Sequence, residues 1–349
     1  MTLSRENQKF VRELFSYYYK VAPIKLPKDL SSREFAFQTL DSEVYVRHMS
    51  FMSETEVRTY LILNTPKQAY YSTAKYLNPA APDFSEAVWQ GSELMFDIDS
   101  DKLPNCQTIS IGGVVEVVTD SCIEAAKNSL DRLVYILEQH LGFSEGELLI
   151  YFSGNRGFHV VVATEDPEWL GLSSTHRLEI VDYITARSIN IKRIFGAVPK
   201  KKIKPAPPNI SDGGWRSLIA KFGEGSEISD EVVRKVAVAV DPVVTQDVSR
   251  LVRIPNSING KSGLPARLLK VDNISEFKLD SSLSPYDGYA IVKPGVSFEG
   301  PLLGREVKLV KDVATKVDID IALYLVLNNL ASILRYSLNH VKKLDEYHH

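Results

Sequence analysis

Two acidic side chains separated by a single residue, Asp97 and Asp99, lie in the apolar stretch Leu94–Asp99. On a strand, alternate side chains point to opposite faces, so Phe96 and Ile98 would enter the core while both carboxylates share the other face. Two unpaired carboxylates repel each other, and a hard cation such as Mg²⁺ or Mn²⁺ removes that conflict. The alternative is a solvated strand face that carries two acids. The pattern predicts a metal site if other stretches supply matching groups.

Two later stretches carry groups that suit a phosphate-bearing substrate. They contain Ser153, Arg156 and His159 around a Gly-containing bend, and then Asp247, Arg253 and Lys261. Three acids with several cations and a histidine are typical of metal-assisted phosphoryl or nucleotidyl transfer, in which cations balance a triphosphate. Structural roles remain open for single residues, since His159 on a strand is also typical of a core histidine.

The elements that must position these residues can be read from periodicity. Residues 148–152 and 158–162 predict a hairpin joined by the Gly-containing bend, and residues 119–141 predict a helix ended by Gly142. The first half of 243–255 reads as a strand, and its second half as either a strand or a helical turn. Residues 319–342 predict a closing amphipathic helix.

Composition excludes several classes of protein. A formal net charge of −3 gives no overall basic signal, so a nucleic-acid partner would be met by local patches or by another subunit. Two cysteines cannot form a disulfide scaffold and indicate a reducing compartment. No signal-peptide pattern is present, and the apolar run 321–327 is too short for a bilayer, so we expect a cytoplasmic protein without a membrane.

Three segments taken together resemble the motifs of a known family. They are Phe-Asp-Ile-Asp at 96–99, Ser-Gly-Asn-Arg-Gly-Phe-His-Val at 153–160, and Asp-Val-Ser-Arg-Leu-Val-Arg-Ile-Pro-Asn-Ser at 247–257. Their order and wide spacing resemble the archaeo-eukaryotic primase family, in particular the archaeal small catalytic subunits. Segments outside the motifs show the same likeness: 33–35, 45–48, 71–72 and 260–264.

The resemblance implies a site and an activity. It implies that Asp97, Asp99 and Asp247 bind two divalent metal ions, Mg²⁺ or Mn²⁺. It also implies a set of residues that hold the nucleoside triphosphate: Ser153, Arg156, His159, Arg253, Lys261 and Asn259. The implied reaction in DNA replication is synthesis of short RNA primers, or DNA primers, on a single-stranded DNA template. The implied partner is a large regulatory subunit in a heterodimer, and the implied location is the archaeal nucleoid.

The protein departs from the family pattern at two places. Asn259 stands where the family often has a histidine, two residues before Lys261, so this position cannot become cationic. Many relatives carry a zinc-binding insert after the acid strand, but this region offers only Cys106 and Cys122, and a structural zinc takes four ligands. We therefore expect the zinc site to be reduced or lost.

Two other interpretations compete with this one. The run 97–101, Asp-Ile-Asp-Ser-Asp, is similar to the acid motif of haloacid-dehalogenase phosphatases, in which the first acid is a nucleophile. Against it, that family has Thr or Val where Asp101 stands. A non-catalytic nucleic-acid-binding subunit with a relic site is the second alternative, and the three acids argue against it.

We predict an α/β (α+β) primase-type core built on an antiparallel or mixed sheet flanked by helices. The core is expected over 1–164 and 241–315. A mostly helical insertion with a basic, Pro-rich loop is expected over 165–240, and a C-terminal helix over 316–349.

Overall fold

The computed structural model describes residues 3–187, 189–190, 206–223 and 229–343. Its helices are α1 (Arg5–Val21), α2 (Glu54–Asn64), α3 (Phe84–Ala87), α4 (Asp120–Tyr135), α5 (Pro167–Leu170), α6 (Ser174–Ile184), α7 (Gly214–Phe222), α8 (Asp230–Val236), α9 (Pro242–Gln246) and α10 (Ile319–Leu327). Part of the predicted basic, Pro-rich loop, residues 200–205, lies outside the described residues.

Four antiparallel strands form a first sheet in the order β11-β3-β1-β2. They are β1 (Phe35–Gln38), β2 (Tyr45–Met49), β3 (Gln68–Ser72) and β11 (Leu251–Arg253). The pairing of β11 with β3 spans a long separation in sequence. Thr73 and Arg250 lie 177 positions apart, yet the amide of Thr73 donates to the carbonyl of Arg250 (2.8 Å). This sheet therefore brings the third motif next to the N-terminal part of the protein.

A second antiparallel sheet carries the acid strand, in the order β12-β9-β10-β6. Its strands are β6 (Leu94–Asp99), β9 (Leu148–Phe152), β10 (Gly157–Val162) and β12 (Leu268–Leu269). The predicted hairpin is confirmed, with Phe158 opposite Phe152. β9 and β10 are almost wholly buried because α4 covers the face of the sheet away from the acids with its apolar side.

The remaining strands form a C-terminal sheet and three two-stranded units. The C-terminal sheet has the order β16-β13-β17, built from β13 (Tyr286–Pro294), β16 (Thr315–Asp318) and β17 (Ala331–Val341). The two-stranded units pair β4 (Ala74–Tyr76) with β5 (Trp89–Ser92), β7 (Thr108–Ile111) with β8 (Val115–Val118), and β14 (Phe298–Leu302) with β15 (Arg305–Leu309). All these pairings are antiparallel, which confirms the expected combination of helices with antiparallel sheet.

Two predicted elements are wrong. The closing helix ends at Leu327 and is followed by β17, because Asn329 has a positive φ of 56° that turns the backbone and β13 pairs with the residues beyond it. The strand expected from residue 243 is instead α9, whose first turn is set by Asp241 as N-cap and Pro242 at the first helical position. The second half of that stretch is strand β11.

The two cysteines are joined in a disulfide, which the sequence reasoning did not predict. Cys106 precedes β7 and Cys122 lies in the first turn of α4, so the bond closes the base of the β7–β8 hairpin against the helix. The hydroxyl of Thr119 donates to the carbonyl of Gln107 at the same place (2.8 Å). Because both sulfurs are bonded to each other, neither cysteine is a zinc ligand in this structure.

In the described parts of 165–240, the regular elements are helical, from α5 to α8. The division of the protein into a core and an inserted unit remains a prediction. Among the described helices, none combines the length and the apolar character that crossing a bilayer needs.

Candidate active site

The acid strand places its two carboxylates through its pairing with β10. Asp97 lies opposite His159 and Asp99 lies opposite Gly157 in the antiparallel register. Phe96 and Ile98 are fully buried on the other face, as the alternation predicted. Gly157 has no room for a side chain, since a Cβ built there would lie 2.1 Å from the carbonyl oxygen of Ile98. The strands can therefore approach closely where the acids lie.

Asp97 is a buried carboxylate with little to balance its charge. Burial, and next the neighbouring charge of Asp99, raise the pKa of Asp97 to about 7. Its Oδ1 has no hydrogen-bond partner among the described residues, although His159 Nε2 lies 3.5 Å away. Burial, together with the charge of Arg253, lowers the pKa of His159 to about 3, so this imidazole is neutral. A neutral histidine does not compensate the acid.

A third acid, Asp241, meets this pair from the start of α9. Its backbone amide donates to the carbonyl of Asp97 (3.1 Å). Its Oδ2 lies 3.4 Å from the ammonium of Lys102, which is also 2.8 Å from Asp99 Oδ2. The hydrogen bond to Asp99 is the main reason that the pKa of Lys102 is raised. Lys102 thus bridges two carboxylates that come from separate parts of the sequence.

Asp247, which the sequence reasoning selected, lies at the opposite end of α9. Six residues of helix correspond to about 9 Å along its axis. α9 runs antiparallel to β6, because the hydroxyl of Thr245 donates to the carbonyl of Met95 (2.7 Å), two residues before Asp97. The carboxylate of Asp247 accepts from the amide and the hydroxyl of Ser249, both at 2.8 Å. The structure therefore brings Asp241, and not Asp247, to the acid pair.

The bend between β9 and β10 presents polar groups beside the acids. The amide of Ser153 donates to the carbonyl of Gly157 (2.8 Å), and the amide of Gly157 donates to the Ser153 hydroxyl (3.2 Å). Gly154 has a φ of +82°, which a residue with a side chain rarely adopts. Arg156 lies 2.8 Å from Asp101 and 4.0 Å from Asp99, so its guanidinium stays beside the acid strand.

The loop after β11 packs directly on this bend. The side-chain amide of Asn259 donates to the carbonyl of Ser153 (3.0 Å), and its Oδ1 accepts from the backbone amide of Lys261 (3.0 Å). The hydroxyl of Ser262 donates to the carbonyl of Gly154. Asn259 is only 3% exposed, so its main role in this structure is to join the two loops. Lys261 is exposed at the tip.

Arg253 completes the site from the first sheet. Its guanidinium donates to the side-chain oxygen of Gln68 and to the hydroxyl of Tyr70 (3.3 Å), with its carbon 5.1 Å from the centre of that ring. Its Nε lacks a hydrogen-bond partner among the described residues. Arg253 is 7% exposed, so its charge is held in a low-dielectric setting where it acts strongly on an anion.

These residues line one cavity of about 370 Å³ between the two four-stranded sheets. The second sheet and its bend contribute Asp99, Ser153, Asn155, Arg156 and His159, and the first sheet and the loops contribute Gln38, Glu43, Tyr45, Lys67, Gln68, Tyr70, Arg253, Asn259 and Lys261. The sequence reasoning named six nucleotide-binding residues, and all six line this cavity. Its volume is in the range of small-ligand sites.

The acids suit a divalent metal ion in their chemistry, although they do not form a finished cage. In the described parts of the protein, no three His, Cys, Asp or Glu side chains are grouped closely enough to hold a metal ion. Lys102 lies between Asp99 and Asp241, and Asp97 keeps a buried oxygen without a partner among the described residues. Oxygen donors around a site that already attracts a cation are what Mg²⁺ and Mn²⁺ prefer.

Comparisons with known proteins agree with this geometry. The model of the DNA primase small subunit family matches residues 96–270, which span the acid strand, the bend and the third loop. A second family model, for a primase C-terminal domain, matches residues 288–337, within the C-terminal sheet.

Among curated proteins, the DNA primase small subunit of Saccharolobus islandicus (strain L.S.2.15 / Lassen #1) is 35% identical over 357 aligned residues. That alignment covers 96% of this chain and 98% of the relative. The chain belongs to the DNA primase small subunit family. The small subunit of Aeropyrum pernix is 38% identical over 309 residues, 85% of each chain, and that of Hyperthermus butylicus is 33% identical over 365 residues, 93% of this chain and 96% of the relative. Membership of the primase small subunit family displaces the haloacid-dehalogenase alternative.

The functional residue that sequence reasoning missed in this primase family member is Asp241. A local signal was available, because Asp followed by Pro is typical of a helix N-cap and first helical position. Reading 242–246 as a helix would have put Asp241 and Asp247 at opposite ends, and only one of them could then join Asp97.

Proposed function

We propose that this chain is the catalytic subunit of a DNA primase, which joins nucleoside triphosphates into a primer on a single-stranded DNA template. The observation that carries the proposal is the convergence of Asp97, Asp99 and Asp241 beside a cavity lined by Arg156, Arg253 and Lys261. Acids on one side and cations on the other are what nucleotidyl transfer from a triphosphate uses.

Asp97, Asp99 and Asp241 are proposed to hold the divalent metal ions, Mg²⁺ or Mn²⁺. Bound metal ions would stabilise the attacking and leaving oxygens of the reaction. The protein contributes fixed positions for these ligands, since β6 holds Asp97 and Asp99 against β10 and the backbone of Asp241 is bonded to Asp97. Asp241 takes the place of Asp247, which the sequence alone favoured.

The cavity residues are proposed to bind the triphosphate of the incoming nucleotide. Arg253 and Lys261 supply positive charge, and Arg156 adds a guanidinium beside the acid strand. His159 is neutral, with an Nδ1 that is buried and without a partner among the described residues, so it can act as a hydrogen-bond donor to phosphate. Ser153 and Asn259 hold the two loops that carry these groups.

The catalytic subunit is further proposed to work with a large regulatory subunit, in a heterodimer that binds the template. The net charge of −3 supports this, because a protein without a basic bias gains by sharing nucleic-acid contacts with a partner.

Primer synthesis by the purified protein on a bare single-stranded DNA template tests the proposal. Labelled ribonucleotides or deoxynucleotides with Mg²⁺ or Mn²⁺ should give short products and pyrophosphate, and Asp99→Asn should reduce synthesis by at least about 100-fold, on the order seen when a charge-stabilising group is removed. Equal synthesis by Asp99→Asn and the unaltered protein would contradict the proposed site. No product from the unaltered protein with or without a large subunit would contradict the function.

A further inference from the structure

Lys67 lies on the wall of the triphosphate cavity, where nothing so far assigns it a role. It immediately precedes β3, and its amide donates to the carbonyl of Gln38 (2.8 Å). Its side chain packs under the loop that carries Lys261, because a Cβ on Gly260 would lie 2.3 Å from both Lys67 Cγ and the Lys67 carbonyl oxygen. The stem of Lys67 is therefore fixed beside that loop, and its ammonium faces the cavity.

The ammonium of Lys67 is paired with an acid at the cavity mouth. Its Nζ lies 3.0 Å from Oε1 of Glu43, which also accepts from the side-chain amide of Gln38 (2.6 Å). The hydrogen bond from Lys67 is the largest reason that the pKa of Glu43 is lowered. The Lys67 side chain is 22% exposed and that of Glu43 is 72% exposed. The lysine is thus held in place, whereas its partner stands in solvent on the β1–β2 loop.

The ion pair also separates two cavities. Glu43 and Lys67 line the triphosphate cavity on one side and a smaller cavity of about 140 Å³ on the other. The smaller cavity is bounded by the β1–β2 loop and by the end of α10, through Leu40, Asp41 and Leu327. If Glu43 lost its partner, its carboxylate could turn towards solvent without leaving a buried charge.

We propose that Lys67 is a further triphosphate-binding residue, and that it exchanges the carboxylate of Glu43 for a phosphate oxygen when a nucleotide enters. This inference rests on the proposed function, because it concerns the same cavity. Glu43 then acts as a stand-in anion that keeps the ammonium in position in the free protein and competes with the nucleotide for it.

The pairing of the other cations explains why Lys67 is suited to exchange. Arg253 is held by Gln68 and Tyr70 in a nearly buried position, and Arg156 is held by Asp101. An exposed carboxylate binds an ammonium weakly because water screens the pair, whereas a phosphate in the cavity would bind it with a stronger, charge-assisted bond. Exchange of Glu43 for phosphate therefore favours the bound nucleotide.

Equilibrium binding of ATP and of AMP, each with Mg²⁺, to the full-length protein and its variants tests the proposal. Lys67→Ala should weaken ATP binding about tenfold, the loss of one charge-assisted hydrogen bond, and should leave AMP binding unchanged. Lys67→Arg should restore most of the affinity, and Glu43→Gln should tighten ATP binding roughly two- to threefold, the effect of removing one weak competing charge.

An ion pair of similar geometry provides the control. Lys308 and Glu299 lie 2.8 Å apart on the β14–β15 hairpin, outside the triphosphate cavity. Lys308→Ala and Glu299→Gln should change neither affinity. Unaltered ATP binding by Lys67→Ala, or an equal loss of ATP and AMP, would overturn the role of Lys67. Absence of ATP binding by the unaltered protein would instead contradict the proposed function.

Discussion

Asp97 lies in an environment that is unfavourable for an isolated carboxylate and favourable for a metal ligand. The side chain is largely buried, next to Asp99, and one oxygen has no hydrogen-bond partner among the described residues. Burying a charged group without compensation costs free energy, so the residue destabilises the metal-free fold at neutral pH. Such a cost at a site that also has Lys102 between Asp99 and Asp241 is typical of a cation-binding centre.

Asp97→Asn should therefore stabilise the metal-free protein. Removal of the buried charge and of its repulsion with Asp99 should add about 1 kcal/mol to the free energy of unfolding, about 2 °C in the melting temperature. Mn²⁺ in excess should raise the melting temperature of the unaltered protein and should not raise that of Asp97→Asn. Calorimetry with and without Mn²⁺ measures both effects, and a variant less stable than the unaltered metal-free protein would contradict this view of Asp97.

At the scale of elements, the site depends on three segments that meet at the paired strands β6 and β10. The strand Leu94–Asp99 and the hairpin that follows could be predicted, because alternation and a Gly-containing bend are local signals. The segment 242–246 could not be predicted from periodicity, because Val243, Val244 and Thr245 favour a strand, yet the Asp241 cap and the bond from Thr245 to Met95 hold it as a helix. That one misread element is why the sequence pointed to Asp247 as the third acid.

The contact of β6 with β10 at Gly157 has a testable consequence. Gly157→Ala should force the strands apart, since the added Cβ would lie 2.1 Å from the carbonyl oxygen of Ile98. We expect a loss of about 1–3 kcal/mol in the free energy of unfolding and a marked loss of primer synthesis, because Asp97 and Asp99 lie on the displaced strand. Urea unfolding and a primer assay measure these effects.

Gly146→Ala is the matched control, because a Cβ there meets nothing within 4 Å and its φ is not in the left-handed region. Its stability should stay within about 0.5 kcal/mol of the unaltered protein. Equal behaviour of the two variants would show that close strand approach at Gly157 does not position the acids.

At the scale of the whole molecule, the N-terminal helix is packed against the last strand. α1 lies against β17, with the ring of Phe10 4.8 Å from that of Tyr336 and the hydroxyl of Tyr336 donating to Glu13 (2.6 Å). The sequence predicted α1, whose apolar stripe is regular, but not β17. Leu330, Leu334 and Leu338 recur every four residues and so imitate a helix, while the pairing of β17 with β13 is a long-range contact that periodicity does not reveal.

Asn7 connects α1 to β17 and gives a prediction at this scale. It is 4% exposed, its side-chain amide donates to the carbonyl of Ala331 (3.2 Å), and its oxygen accepts from the amide of Ile333 (2.9 Å). Asn7→Ala should lower the free energy of unfolding by about 3 kcal/mol, because two buried backbone groups lose their partner. Chemical denaturation measures the change, with Lys9→Ala, an exposed position on the same helix, as the control.

Primer synthesis at a temperature where Asn7→Ala is folded should remain close to that of the unaltered protein, since Asn7 is not part of the cavity. A stable Asn7→Ala protein, equal to Lys9→Ala, would show that this contact does not hold α1 and β17 together.

The proposed site depends most on which acid completes it, and primer synthesis by Asp241→Asn and Asp247→Asn measures that directly. Asparagine suits a helix N-cap at Asp241 and can accept from Ser249 at position 247, so both variants should keep the fold. We expect Asp241→Asn to lose synthesis by at least about 100-fold, on the order of other losses of a charge-stabilising group, and Asp247→Asn to retain most of it. Full activity of Asp241→Asn with loss in Asp247→Asn would contradict the site described here.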